Sequence, residues 1–154
     1  MVAGFAMNIN GAVAHQLPPS SDGDYHPSGD EEFMGEQQRD YFRKLLEVWK
    51  KSILSESELT LAHLQAAPLR EPDLADRASS ETDWSIELRT RDRQRKLIAK
   101  IDAALRRIEV GDYGYCEVTG EPISLARLTA RPIATMTVEA QERHERQERV
   151  SRDI

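Results

Sequence analysis

The chain has 154 residues, 39% hydrophobic, 31% charged and only 6% aromatic, a size and balance that allow one hydrophobic core and favour long solvated helices over a thick globule. Its formal charge of −6 at pH 7 opposes attraction to a polyanion, since duplex binding depends on neutralising phosphates, so direct sequence-specific DNA binding is not expected. No stretch nears the roughly 20 apolar residues of a membrane span, residues 1–6 lack the basic end of a secretory signal, and Cys116, the single cysteine, excludes an intramolecular disulfide or a multi-thiolate metal site within one chain; a cytoplasmic protein with no membrane attachment is expected.

Residues 1–34 hold Gly, Pro, Ser and Asn at intervals without a sustained period and read as a flexible lead, able to order on docking. From Gly35 the pattern changes. Phe42, Leu46, Trp49 and Ile53, then Thr60, Leu64 and Ala67, recur at spacings of four and three, the seam of a heptad helix running to about Ala66. Pro68 and Pro72 remove backbone donors and disfavour helix before them, so the chain turns there. A second periodic run from Asp73 or Ala75 carries Trp84, Leu88, Ile98, Ile101, Leu105 and Ile108 to Gly111, a residue suited to the left-handed helix stop.

Two long helices joined by a short turn lie antiparallel to bury their seams. The predicted architecture is mostly α: a long antiparallel coiled-coil hairpin over 35–110, roughly 45 Å long at ~1.5 Å per residue, with an acidic tip near 69–83. Arg91 and Arg95 are expected to interrupt the second seam. Residues 111–136 read as a loop-rich knuckle with two short strands and a core from Leu125, Leu128 and Ile133. Residues 137–154 read as a polar C-terminal helix.

Charge is uneven along the rod. Residues 1–40 carry seven acids against Arg39, and 86–108 carry eight bases against Glu87, Asp92 and Asp102. Such polarity suits a protein partner with both signs of charge. At the tip, Glu71, Asp73, Asp76, Glu81 and Asp83 stand against Arg77; from charge alone this is a solvated helix start whose acids suit the dipole.

Five stretches taken together resemble the DksA/TraR family of RNA polymerase secondary-channel factors. They are Tyr25-His-Pro with Gly29-Asp-Glu-Glu-Phe-Met34, Phe42-Arg-Lys-Leu-Leu-Glu-Val-Trp49, Ile86-Glu-Leu-Arg-Thr-Arg-Asp-Arg-Gln-Arg-Lys-Leu-Ile98, Gly111-Asp-Tyr-Gly-Tyr-Cys116 and Arg127-Leu-Thr-Ala-Arg-Pro132. The resemblance implies a monomeric transcription regulator, not an enzyme, that binds RNA polymerase through the secondary channel. It implies that the protein modulates promoter open-complex stability together with (p)ppGpp in the stringent response. The family's tip pattern of two acids followed by alanine falls on Asp73, Asp76 and Ala78. Its alarmone contacts fall on Leu97, Lys100 and Arg131, for which a solvated helix lysine and a local turn partner are the plainer reading of the last two. A further basic position falls on Gln141.

The family's four zinc-binding cysteine positions read Cys116, Thr119, Thr137 and Ala140, which implies a zinc-independent variant, since alcohols ligate poorly and alanine not at all. The knuckle is then expected to rest on Tyr113, Tyr115, Ile123, Leu128 and Val138, with hydrogen bonds from the two threonines and Cys116 as an inert small core residue. A coiled-coil assembly adaptor and a Gre-like transcript-cleavage factor are the alternatives. Autonomous Mg²⁺ chemistry at Asp73 and Asp76 lacks a pocket and a base.

Overall fold

The computed structural model describes residues 25–66 and 74–152. Four helices follow in order: α1 (Glu36–Ala66), α2 (Leu74–Val110), α3 (Leu125–Ala130) and α4 (Val138–Arg152). Where two short strands were expected in the knuckle, only the isolated bridge between Tyr115 and Pro122 forms. Ala67 and the Leu64 side chain, both assigned to the first seam, lie outside the described residues.

The mostly helical hairpin stands, and its two long helices pack on each other. Lys50 Nζ donates to Asp102 Oδ1 at 2.6 Å, and His63 Nδ1 lies 3.1 Å from Glu87 Oε1, which sets an antiparallel register. Toward the base, Phe42, Leu45, Leu46, Trp49 and Ile53 of α1 bury against Ile101, Ala104 and Ile108 of α2. Each such large apolar side chain contributes about 1.5–3 kcal/mol by leaving water.

The second seam differs from the sequence expectation. Trp84 and Leu88 are 47% and 42% exposed, whereas Gln94 is 2% exposed. Arg95 points to solvent and Arg91 is half-buried, so neither breaks the buried line. The face that points inward runs through Glu87, Gln94, Ile101 and Ile108, seven residues apart. An apolar-residue count misses this register because its distal members are polar.

α2 stops where Gly111 adopts φ 87°. Its carbonyls are closed by Gly111 N–H to Ile108 O at 3.3 Å and by Asp112 and Tyr113 N–H to Arg107 O at 2.9 and 3.1 Å, a left-handed helix stop. The knuckle joins the same core through Tyr113, Cys116, Ile123, Leu128 and Ala134, and α4 joins it through Ala140. Leu125 and Ile133 are partly buried against it, and Val138, assigned to that core, is exposed. The short α3 was not anticipated; Ser124 caps it, its Oγ accepting from Arg127 N–H at 3.3 Å.

Of the lead expected to be flexible, residues 1–24 lie outside the described residues, while residues 25–34 pack on the hairpin base. The Gln38 side chain is almost fully buried; it accepts from Met34 N–H at 2.9 Å and donates to Ser28 O at 3.1 Å. Tyr25 donates its hydroxyl to Glu31 Oε2 at 2.6 Å and meets Tyr41 edge-on, and Phe33 meets Tyr115 edge-on. Burial and the Glu31 carboxylate push the Tyr25 phenol up to about 12, so it remains a donor at neutral pH.

Gly114, at φ 88°, lies against Met34: a Cβ added there would meet Met34 Cγ at 2.7 Å, whereas one at Gly111 would meet nothing within 4 Å. Both positions strain an L-residue, but only Gly114 also collides. Gly114→Ala is therefore expected to lower stability by roughly 1 kcal/mol more than Gly111→Ala, with Met34→Ala recovering part of the difference in thermal unfolding. Equal losses in the two alanine variants would contradict the close approach.

Candidate functional site

The tip is built by the start of α2. Asp76 lies in its first turn and is exposed, and Ala78 follows two residues later, also exposed. A carboxylate there is favoured by the partial positive charge of the first turn's N–H groups. Arg77 and Glu81 pair along the helix at 3.6 Å, both well exposed, a contact of little energetic weight. Asp73 lies outside the described residues.

Further along α2, Leu97 is half-buried and Lys100 exposed, and a spacing of three places them on adjacent turns of one face. Arg89, Arg93, Lys96 and Lys100 follow at helical spacing, making a basic stripe. Lys96 Nζ lies 2.9 Å from Asp92 Oδ2 and, through its hydrogen bond and charge, holds the Asp92 carboxyl below its ordinary range. Arg131 comes from the knuckle, where it caps α3: its N–H donates to Arg127 O at 2.7 Å and its carbonyl accepts from Ala134 N–H at 3.0 Å. Gln141 Nε2 donates to Glu145 Oε1 at 2.8 Å.

The knuckle is closed by bonds between its two halves. Tyr113 Oη donates to Pro132 O at 2.7 Å, Glu117 N–H to Thr135 O at 2.9 Å and Arg127 Nε to Met136 O at 2.9 Å. Arg107 fastens it to the hairpin, donating to Tyr115 O at 2.6 Å and Asp112 O at 3.1 Å.

Thr137 is buried and serves as the N-cap of α4, its Oγ1 accepting from Ala140 N–H at 3.3 Å. The threonine followed directly by a helical run was the available signal for this role. Thr119 Oγ1 accepts from Glu121 N–H at 3.3 Å, a local turn. Cys116 is 3% exposed. Burial pushes its thiol up, but hydrogen bonds from the Thr119 hydroxyl and from the N–H groups of Thr137, Thr119 and Val118 outweigh this and bring it down to about 7. The core position expected of this thiol stands, while the donors around the sulfur favour its anion.

Residues 38–108 match the family model described as DnaK suppressor protein DksA, N-terminal domain, and residues 111–146 match that of the prokaryotic dksA/traR C4-type zinc finger. The chain is 68% identical over 130 residues to the RNA polymerase-binding transcription factor DksA of Caulobacter vibrioides, covering 84% of this chain and 92% of that protein. It is 43% identical over 115 residues to the protein of the same name from Escherichia coli, covering 75% and 76%. The solved structure of transcription factor DksA2 from Pseudomonas aeruginosa aligns with a TM-score of 0.68 at 44% identity, covering 76% of this chain and 90% of that one.

The zinc implied by the finger model does not fit these residues. One thiol, two hydroxyls already engaged in a cap and a turn, and the Ala140 methyl replace four thiolates, and such a set does not make a tetrahedral zinc site. Among the described residues no group of three or more His, Cys, Asp or Glu side chains could hold a metal ion. A thiol depressed from 9.0 to about 7 on folding adds stability that is fully present above pH 9 and lost as pH falls through 7. The stability gap between the native chain and Cys116→Ala should therefore widen from pH 6 to pH 9 in urea unfolding; a gap constant across that range would contradict the anion-favouring environment.

Proposed function

From the premise that the chain belongs to the DksA family, we propose that it binds RNA polymerase through the secondary channel and regulates transcription initiation by altering open-complex stability. The observation that carries this reading is the 68% identity extending over 92% of the Caulobacter vibrioides RNA polymerase-binding transcription factor. The geometry supports it. Toward the base the apolar seam is consumed within the hairpin, and toward the tip its inward positions are polar, which fits a monomer. The arm ends in exposed Asp76 and Ala78, with Asp73 beside them in sequence, a carboxylate-bearing probe able to approach a catalytic centre.

In this reading the protein performs no reaction of its own. Exposed acids on a helix end can repel or order groups of the polymerase, and they act after the base and arm have docked. Among the described residues no helix is long and apolar enough to cross a membrane, and a factor that meets polymerase works in the cytoplasm. We further propose that Leu97, Lys100 and Arg131 contribute to a (p)ppGpp site completed by the polymerase, the cations meeting phosphates and the leucine supporting the base. The knuckle would reach its folded state without zinc.

Asp76→Asn keeps the side chain's shape and removes its charge. Affinity for core polymerase should stay nearly unchanged while the effect on promoter-complex lifetime is lost. A variant with full effect in a transcription assay would contradict the role of the tip.

Gln141→Lys should raise alarmone sensitivity several-fold in a promoter titration, since a phosphate contact is worth on the order of 1 kcal/mol. No gain would mean that position 141 does not face the ligand.

A further inference from the structure

The inward face of α2 reads Glu87, Gln94, Ile101 and Ile108 at seven-residue spacing, polar toward the tip and apolar toward the base. Gln94 is 2% exposed, yet neither its Nε2 nor its Oε1 has a hydrogen-bond partner. About two helical turns further out, Glu87 repeats the feature: one carboxylate oxygen meets His63 and the other is buried without a partner.

Packing changes at the same level. Among the described residues, every fully buried apolar side chain of α1 lies at or before Ile53, and every one of α2 lies at or after Ile101. Beyond Gln94 the arm leaves Leu59 mostly, and Trp84 and Leu88 nearly half, in water. The cross-arm pair His63 with Glu87 has its histidine mostly exposed, a contact with little holding power.

We infer that Gln94 is a joint in the hairpin: the arm beyond it opens and re-closes as a unit while the base stays folded. A buried amide without partners is costly to keep from water. Parting the distal helices lets water reach it without uncovering the apolar core, whereas the unpartnered Trp49 Nε1 at the base is held among buried apolar side chains whose exposure would cost more than its hydration returns. Local openings of this kind need far less free energy than global unfolding. A single polar residue at a seam position of a coiled coil likewise trades stability for a different property. Here that property is a compliant arm on a fixed base.

Hydrogen exchange on the intact, unliganded chain tests the joint independently of any polymerase function. Backbone amides of 54–66 and 74–90 should exchange at least ten-fold faster than those of 42–53 and 98–108. Gln94→Leu and the unbranched, near-isosteric Gln94→Met should each slow exchange in the arm at least five-fold while leaving the base unchanged. An arm no faster than the base in the native chain would overturn the inference. So would substitutions that leave the arm unaffected or slow arm and base alike.

Discussion

The Tyr113 side chain joins three parts of the chain at one point. Its ring lies against Phe42 of α1 with centroids 5.5 Å apart, its backbone N–H closes the end of α2 on Arg107, and its hydroxyl reaches Pro132 O beyond α3. Burial pushes the phenol above its ordinary range, so it remains a neutral donor. Where a metal would tie the two halves of a finger together, this tyrosine and the bonds from Glu117 and Arg127 span them with protein groups alone. The knuckle and hairpin base consequently share a single core, and the direction in which the arm projects follows from that shared packing.

Under the proposed function, stability and action are separated along the rod. Near the base, aromatic and aliphatic side chains from α1, α2, the knuckle and residues 25–34 interlock. Toward the tip the seam becomes polar, and the acid-bearing start of α2 stands in solvent. If the arm enters a channel of the polymerase as proposed, it needs only a firm base and a slender, well-hydrated end. An arm with a thick apolar core would be wider, and its exposed tip would invite self-association.

The helix limits were legible because Pro68, Pro72 and Gly111 act through backbone geometry that no tertiary contact overrides. The second seam's register was not. Trp84 and Leu88 drew the line one position away from Gln94, whose burial depends on the facing helix and on the pairs Lys50 with Asp102 and His63 with Glu87. Residues 25–34 escaped notice because their order comes from Gln38 and the Tyr25 and Phe33 ring contacts, none of which is periodic. Thr137 was weighed as a missing zinc ligand when its local sequence already marked a helix cap. The depressed Cys116 thiol required knowing which N–H groups converge on the sulfur, which no spacing reveals.

The central claim, that protein contacts around Tyr113 replace metal in closing the knuckle, is tested most directly by measuring zinc in the purified chain and its thermal unfolding with and without a strong chelator. Metal-dependent small domains unfold when stripped, because metal binding is part of their folding free energy. The account predicts far less than one zinc per chain and superimposable melting curves. Stoichiometric zinc, or a knuckle that melts earlier in chelator, would contradict it.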